Sequence, residues 1–248
     1  PQAPGVVEAM REVAEAAGAK LEVLGKDVDF SYRFESSADL GPHHRVCVTT
    51  ARSAFEHFAS PLPGEHQAFN CGLALAALDT LRARGIETPE ADVAHGLSCT
   101  HLPGRMELVY DQPKIMLDGA HNAASMGALV KTVGAHVPYD SMVMIFGCAV
   151  DKDIRGMLEK VDLGADKVIF TRASTNPRAA DPKDLQRMFS EISGKMSQVA
   201  PTLKDAINTA HRAVGKGDLI LVTGSFYLVG EAKALLAAAA EKRAGAKA

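Results

Sequence analysis

Within the stretch KIMLDGAHNAAS, residues 114–125, an acid, an imidazole and an amide (Asp118, His121 and Asn122) crowd together directly behind the apolar run 115–117. Such a run predicts a buried strand, and the residues after it have the pattern of a helix. A carboxylate at a strand end can accept hydroxyl hydrogen bonds, as from a ribose diol, while a helix start offers backbone N–H groups without partners. The same residues can instead cap the helix, a role worth about 1 kcal/mol with no ligand attached. On residue types alone both readings stand.

Three further stretches repeat the arrangement. In FGCAVDKD, residues 146–153, Lys152 lies between Asp151 and Asp153, either a solvated charge cluster or an ammonium placed to hold a carboxylate. TRASTNPRAAD, residues 171–181, offers Arg172 and Arg178, and LVTGSFYLVG, residues 221–230, puts Gly224 and Ser225 just past an apolar run. Open α/β sheets bind ligands at the carboxyl ends of their strands. Four polar strand ends in succession therefore favour one shared site over four coincidences. Some motifs are absent. No GxxxxGK[ST] occurs, VGKGD at 214–218 lacks its first glycine and its hydroxyl residue, and neither GxGxxG nor HExxH is present. His43, His44, His57 and His66 have no metal-like helical spacing, so this chain is expected to supply no metal ligands.

The elements that must position these residues fall into two parts. Residues 27–61 read as short antiparallel strands, followed by a helix over 62–85 with Phe69, Leu73, Ala76, Ala77 and Leu81 on its apolar face, and a shorter helix over 89–97. Past a boundary near Leu102, apolar runs at 106–109, 115–117, 142–146, 167–170 and 219–222 alternate with helical patterns at 123–136, 154–161, 182–193, 203–214 and 229–241. That alternation predicts an α/β fold, its mostly parallel sheet covered on both faces. The opening residues have no methionine and predict a helix over 6–14 and a short strand over 21–24, so the chain reads as starting inside a longer protein.

Bulk properties narrow the classes. The 248 residues carry 27 basic and 30 acidic side chains, a net charge of −3, with no basic stripe for nucleic acid. The apolar tract ALLAAAA is far short of the roughly 20 residues needed to span a bilayer. Cys47, Cys71, Cys99 and Cys148 stand far apart in apolar or helical contexts, which predicts reduced, packed thiols in a cytoplasmic protein.

Six stretches, PGEHQAFN, LPGRMELV, LDGAHNAAS, FGCAVDKD, NPRA and VTGSFYLVGE, occur in that order. Together they resemble the folylpolyglutamate synthase/dihydrofolate synthase branch of the Mur ligase family. The resemblance implies an ATP-dependent amide ligase: ATP phosphorylates a carboxylate of folate or dihydropteroate, and L-glutamate attacks the acyl phosphate. It implies that Asn70, Arg105 and Asp118 contact ATP and that His121 lies near the adenine and ribose. Less directly, it points to Lys152, Ser225 and Tyr227 for the incoming glutamate. It also implies residues 1–101 as the last part of the family's central domain and 102–248 as its Rossmann-like C-terminal domain. The P-loop, the Mg²⁺ ligands and the catalytic groups would then precede Pro1, and the isolated chain would not turn over. Ala123 stands where the family usually has proline, a favourable but dispensable first-turn residue. The competing expectations are a muramyl-peptide ligase fragment and a non-catalytic nucleotide- or amino-acid-binding module.

Overall fold

The computed structural model describes residues 5–245. The chain forms two compact units, one comprising residues up to Pro61 with His66–Thr100, the other Leu62–Glu65 and the chain from His101.

In the first unit, α1 (Val6–Ala16) is followed by β1 (Asp29–Ser37), β2 (Gly41–Thr49), β3 (Ala54–Ala59), α2 (Glu65–Arg82) and α3 (Glu90–Ser98). The three strands form an antiparallel meander in the order β1-β2-β3, as their period-2 pattern predicts. Two expectations are corrected here. Residues 21–24 make no strand: Gly25 takes φ 84°, Val23 N donates to Asp27 Oδ2 at 2.9 Å, and only an isolated bridge joins Leu24 to Val28. The apolar face of α2 also differs, since Leu73 is 54% exposed while Ala68, Cys71, Gly72 and Leu75 are buried. The cause is a close approach: a Cβ on Gly72 would lie 2.4 Å from the Phe30 ring. The helix therefore meets the sheet at Gly72, with Leu75 in the core, while Leu73 and Leu81 turn outward.

The second unit runs β4 (Glu107–Asp111), β5 (Lys114–Leu117), α4 (Ala123–His136), β6 (Met142–Phe146), α5 (Ile154–Gly164) and β7 (Lys167–Phe170). It continues through α6 (Pro182–Ile192), β8 (Ser197–Val199), α7 (Leu203–Ala213), β9 (Leu219–Thr223) and α8 (Phe226–Gly245). The sheet order is β4-β5-β9-β6-β7-β8, parallel throughout except for the β4–β5 pair. The strand β8 has three residues, too few to show a period in the sequence, and it pairs with β7 through Val168, Ile169 and Phe170.

Because β5, β6 and β9 are buried on both faces, they read as continuous apolar runs. On one face Met116, Met144, Phe146, Phe170 and Leu221 pack against Met126, Leu158, Val161 and Phe189 of α4, α5 and α6. On the other, Leu117, Ile145, Ile220 and Val222 pack against Leu203, Ala206, Leu228 and Ala232 of α7 and α8. Neighbouring strands β6 and β9 thus lead into helices on opposite faces. A crevice opens at their carboxyl ends, the place where such sheets bind ligands.

Leu158 is fully buried and Leu163, five residues on, is 71% exposed. Leu158→Ala is expected to cost about 2–5 kcal/mol and Leu163→Ala less than about 0.5 kcal/mol, read as denaturant midpoints at unchanged slope.

Candidate functional site

The carboxyl ends of the strands approach so closely that side chains are excluded. A Cβ on Gly147 would lie 2.4 Å from the Thr171 carbonyl oxygen, and one on Gly224, at φ 106°, 2.7 Å from that of Gly147. These glycines bring the loops after β9, β6 and β7 edge to edge.

Beside them, two loops are tied by Asp118, which is buried. Its Oδ1 accepts from Ala120 N at 2.8 Å and its Oδ2 from Met106 N at 3.0 Å, while Gly119 N donates to Gly104 O at 2.8 Å. Met106 holds φ 48°, a left-handed conformation unusual for a side chain of its size. The stretch before β4 is thereby folded onto the stretch after β5, which brings Arg105 to the entrance of α4.

The helix cap is a different residue. Asn122 Oδ1 accepts from Ser125 N at 2.8 Å, and Ser125 Oγ accepts from Asn122 N at 3.1 Å, a reciprocal capping box. Of the residues in DGAHN, the capping role thus falls to Asn122, and Asp118 instead joins the two loops. The His121 ring donates through Nδ1 to Gly119 O at 2.9 Å, leaving Nε2 as its acceptor. Arg105 is half-buried and has no acidic partner among the described residues. Its guanidinium carbon lies 4.6 Å from the centre of the Phe226 ring.

The loops after β6 and β7 are zipped together: Val150 N donates to Arg178 O at 2.8 Å and Ala180 N to Cys148 O at 2.9 Å. Asp151 Oδ2 then faces both Arg178 Nη1, at 3.1 Å, and Lys152 Nζ, at 3.8 Å. Arg172 is exposed. Ser225 is buried, and its Oγ accepts from Tyr227 N at 3.1 Å in the first turn of α8, whereas Tyr227 is exposed. Asn70 belongs to the first unit, where it is exposed and its Nδ2 donates to Gln67 Oε1 at 2.9 Å. Arg105, Asp118 and His121 are therefore brought together directly. Phe226 and Glu107, which hold that group in place, carry no sequence signal beyond lying inside the motifs VTGSFYLVGE and LPGRMELV.

Glu107 anchors the entrance loop, accepting from Gly104 N at 2.8 Å and from Lys233 Nζ at 2.6 Å. Burial acts to raise its carboxyl pKa, but the Lys233 and Gly104 hydrogen bonds and the Lys233 charge outweigh it and leave the group below its usual value. A depressed carboxylate adds stability at pH values above its unfolded pKa, about 4.3, and loses it as pH falls through the lower folded value. Glu107→Gln is expected to flatten that acid-side decline, measured by denaturation at a series of pH values.

The four thiols are not all packed. Burial pushes Cys71 up to about 11 and, with the Asp151 charge, Cys148 up to about 12. Cys99, however, is exposed at the end of α3 and Cys47 is half-exposed. Cys99 should react first with Ellman's reagent, and Cys71 and Cys148 only on unfolding. Equal rates for all four would contradict this arrangement.

Among the described residues no group of three His, Cys, Asp or Glu side chains is placed to hold a metal, and no helix is long and apolar enough to cross a membrane.

Residues 104–226 match the family model of the Mur ligase glutamate ligase domain, a span from the loop glycine before Arg105 to Phe226. That span, within the second unit, is a Mur ligase glutamate ligase domain. Within that family the chain is homologous to the folylpolyglutamate and dihydrofolate synthases. It is 30% identical over 226 residues to a probable bifunctional folylpolyglutamate synthase/dihydropteroate synthase of Halobacterium salinarum, covering 91% of this chain and 26% of that protein. With the dihydrofolate synthase/folylpolyglutamate synthase of Mycobacterium tuberculosis it shares 29% identity over 250 residues, 94% of this chain and 50% of the relative. The structure of the Mycobacterium tuberculosis folylpolyglutamate synthase complexed with ADP matches with a TM-score of 0.83 at 26% identity, covering 95% of this chain and 53% of that one. The chain thus spans between about a quarter and about half of the length of the proteins it matches.

Proposed function

We propose that the chain is part of an ATP-dependent ligase that joins L-glutamate to folate or dihydropteroate through an acyl phosphate. In that reaction ATP transfers its terminal phosphoryl group to a substrate carboxylate. The glutamate amino group displaces the phosphate, and ADP and inorganic phosphate leave. The observation that carries the reading is the convergence of LPGR, DGAHN and GSFY on one half-buried guanidinium without an acidic partner at the entrance of α4. A fork of five N–H donors at a helix N-terminus suits phosphate oxygens, and it offsets charge that moves between them during transfer. The ADP bound by the Mycobacterium tuberculosis enzyme supports a nucleotide at this place.

Arg105 takes the phosphates, and Asp118 both holds the Arg105 loop and accepts ribose hydroxyls. His121 offers Nε2 to the nucleoside, and Asn70, in the first unit, carries an amide that can both donate and accept, as an adenine edge requires. Lys152, Ser225 and Tyr227 receive the glutamate carboxylates, the ammonium supplying charge and the hydroxyls directional hydrogen bonds. The described residues contain no acidic cluster fit to hold Mg²⁺, and the 248 residues contain no GxxxxGK[ST] phosphate cradle. Under the proposed reaction both would have to come from outside these 248 residues, so the isolated chain should not turn over.

The test is ADP release by the native gene product with dihydropteroate or tetrahydrofolate plus glutamate, set against UDP-muramyl peptide substrates. Glutamate- and folate-dependent release is expected, with Arg105→Ala lowering kcat on the order of a hundredfold. Turnover of the muramyl substrates alone would overturn the assignment, and folate-dependent release by the 248-residue chain would overturn its proposed incompleteness.

A further inference from the structure

Four residues from two other motifs surround the Phe226 ring. The Arg105 guanidinium carbon lies over the ring face at 4.6 Å, and the His121 ring centre is 6.0 Å away. A Cβ on Gly119 would lie 2.3 Å from Phe226 Cε1, and one on Gly104 would lie 3.5 Å from the same atom. The ring thus occupies space that any side chain at Gly119 would need. It is also 44% exposed, so it is not a core residue that the charged groups merely happen to touch.

We propose that Phe226 is the positioning residue of the site, an aromatic platform that holds the Arg105 guanidinium beside the His121 imidazole and ready for an anion. Arg105 ends a flexible stem with no carboxylate to orient it, and an arginine in that state samples many rotamers. The negative face of the ring holds the guanidinium plane without neutralising its charge, which a carboxylate partner would do. The N–H fork therefore stays available to a ligand anion. The ring in turn is fixed from behind, since Gly119 and Gly104 let two loops close onto it and Ser225 caps the helix turn from which it projects. One aromatic side chain thus carries the geometry of GSFY into both LPGR and DGAHN. Which anion the guanidinium receives rests on the proposed nucleotide role; the platform itself does not.

The experiment uses the 248-residue chain and two readouts. By NMR, the Arg105 Nε–H and His121 ring protons should show ring-current shifts that F226Y keeps and F226L abolishes. G119A, which alters neither charged residue, should displace the ring and abolish them as well. By calorimetry with ADP as the probe, F226L should bind about fivefold more weakly and F226Y like the native chain. The double variant R105M/F226L should then bind no more weakly than R105M alone, because the ring acts through the arginine. Circular dichroism and unfolding midpoints establish that each variant folds. Unchanged Arg105 and His121 shifts in F226L and G119A, or additive losses in the double variant, would overturn the platform. If the native chain binds no ADP while the shifts behave as expected, the nucleotide role of the guanidinium fails and the platform stands.

Discussion

The carboxylate of Asp118 is the interaction on which the rest of the site depends. Its bonds from Met106 N and Ala120 N reinforce the Gly119 N to Gly104 O bond in holding the stretch before β4 against the turn after β5, and so place Arg105 at the entrance of α4. Hydrogen bonds to a charged group contribute about 1.5–3 kcal/mol each. A left-handed backbone at a residue like Met106 costs about 1–3 kcal/mol. The hydrogen bonds to the carboxylate thus offset the strain in the loop. Asp118 is therefore a structural residue whatever ligand the site takes, and a substitution there would change the position of Arg105.

Most of the second unit was legible because burial on both faces writes itself as continuous apolar runs. The expected ranges for α4 and β6 coincide with the elements formed, and β5, β7 and β9 differ by no more than a residue at either end. Features set by tertiary approach were not legible. The buried face of α2 follows from the place where Phe30 meets Gly72, which no helical periodicity records. The turn at 24–28 uses an Asp–backbone hydrogen bond that competes with strand pairing, and β8 is too short for a pattern. The candidate site divides in the same way. The charged members stood out by residue type, whereas Phe226 and Glu107 act by holding other groups, and a residue that holds another looks like any core or surface residue in the sequence.

On the far side of the crevice a different constraint operates. Asp151 lies within reach of both Arg178 and Lys152, leaving one excess positive charge on three side chains. Each of them is at least one-third exposed, and ion pairs of that kind contribute little, about 0–1 kcal/mol. An arriving carboxylate can therefore displace Asp151 from Lys152 at small cost. Arg178 keeps Asp151 in place through the paired loops, where Val150 N donates to Arg178 O and Ala180 N to Cys148 O.

Under the proposed reaction this arrangement gives the two ends of the crevice opposite characters. Arg105 presents an uncompensated charge on a fixed platform, suited to phosphate oxygens whose charge changes during transfer. Lys152 presents a charge that is compensated until a ligand arrives, suited to a carboxylate that must bind and later leave as part of the product. A ligase needs that asymmetry. Rigidity where charge moves lowers the barrier, and a replaceable partner where the product is released keeps the site from holding what it has made.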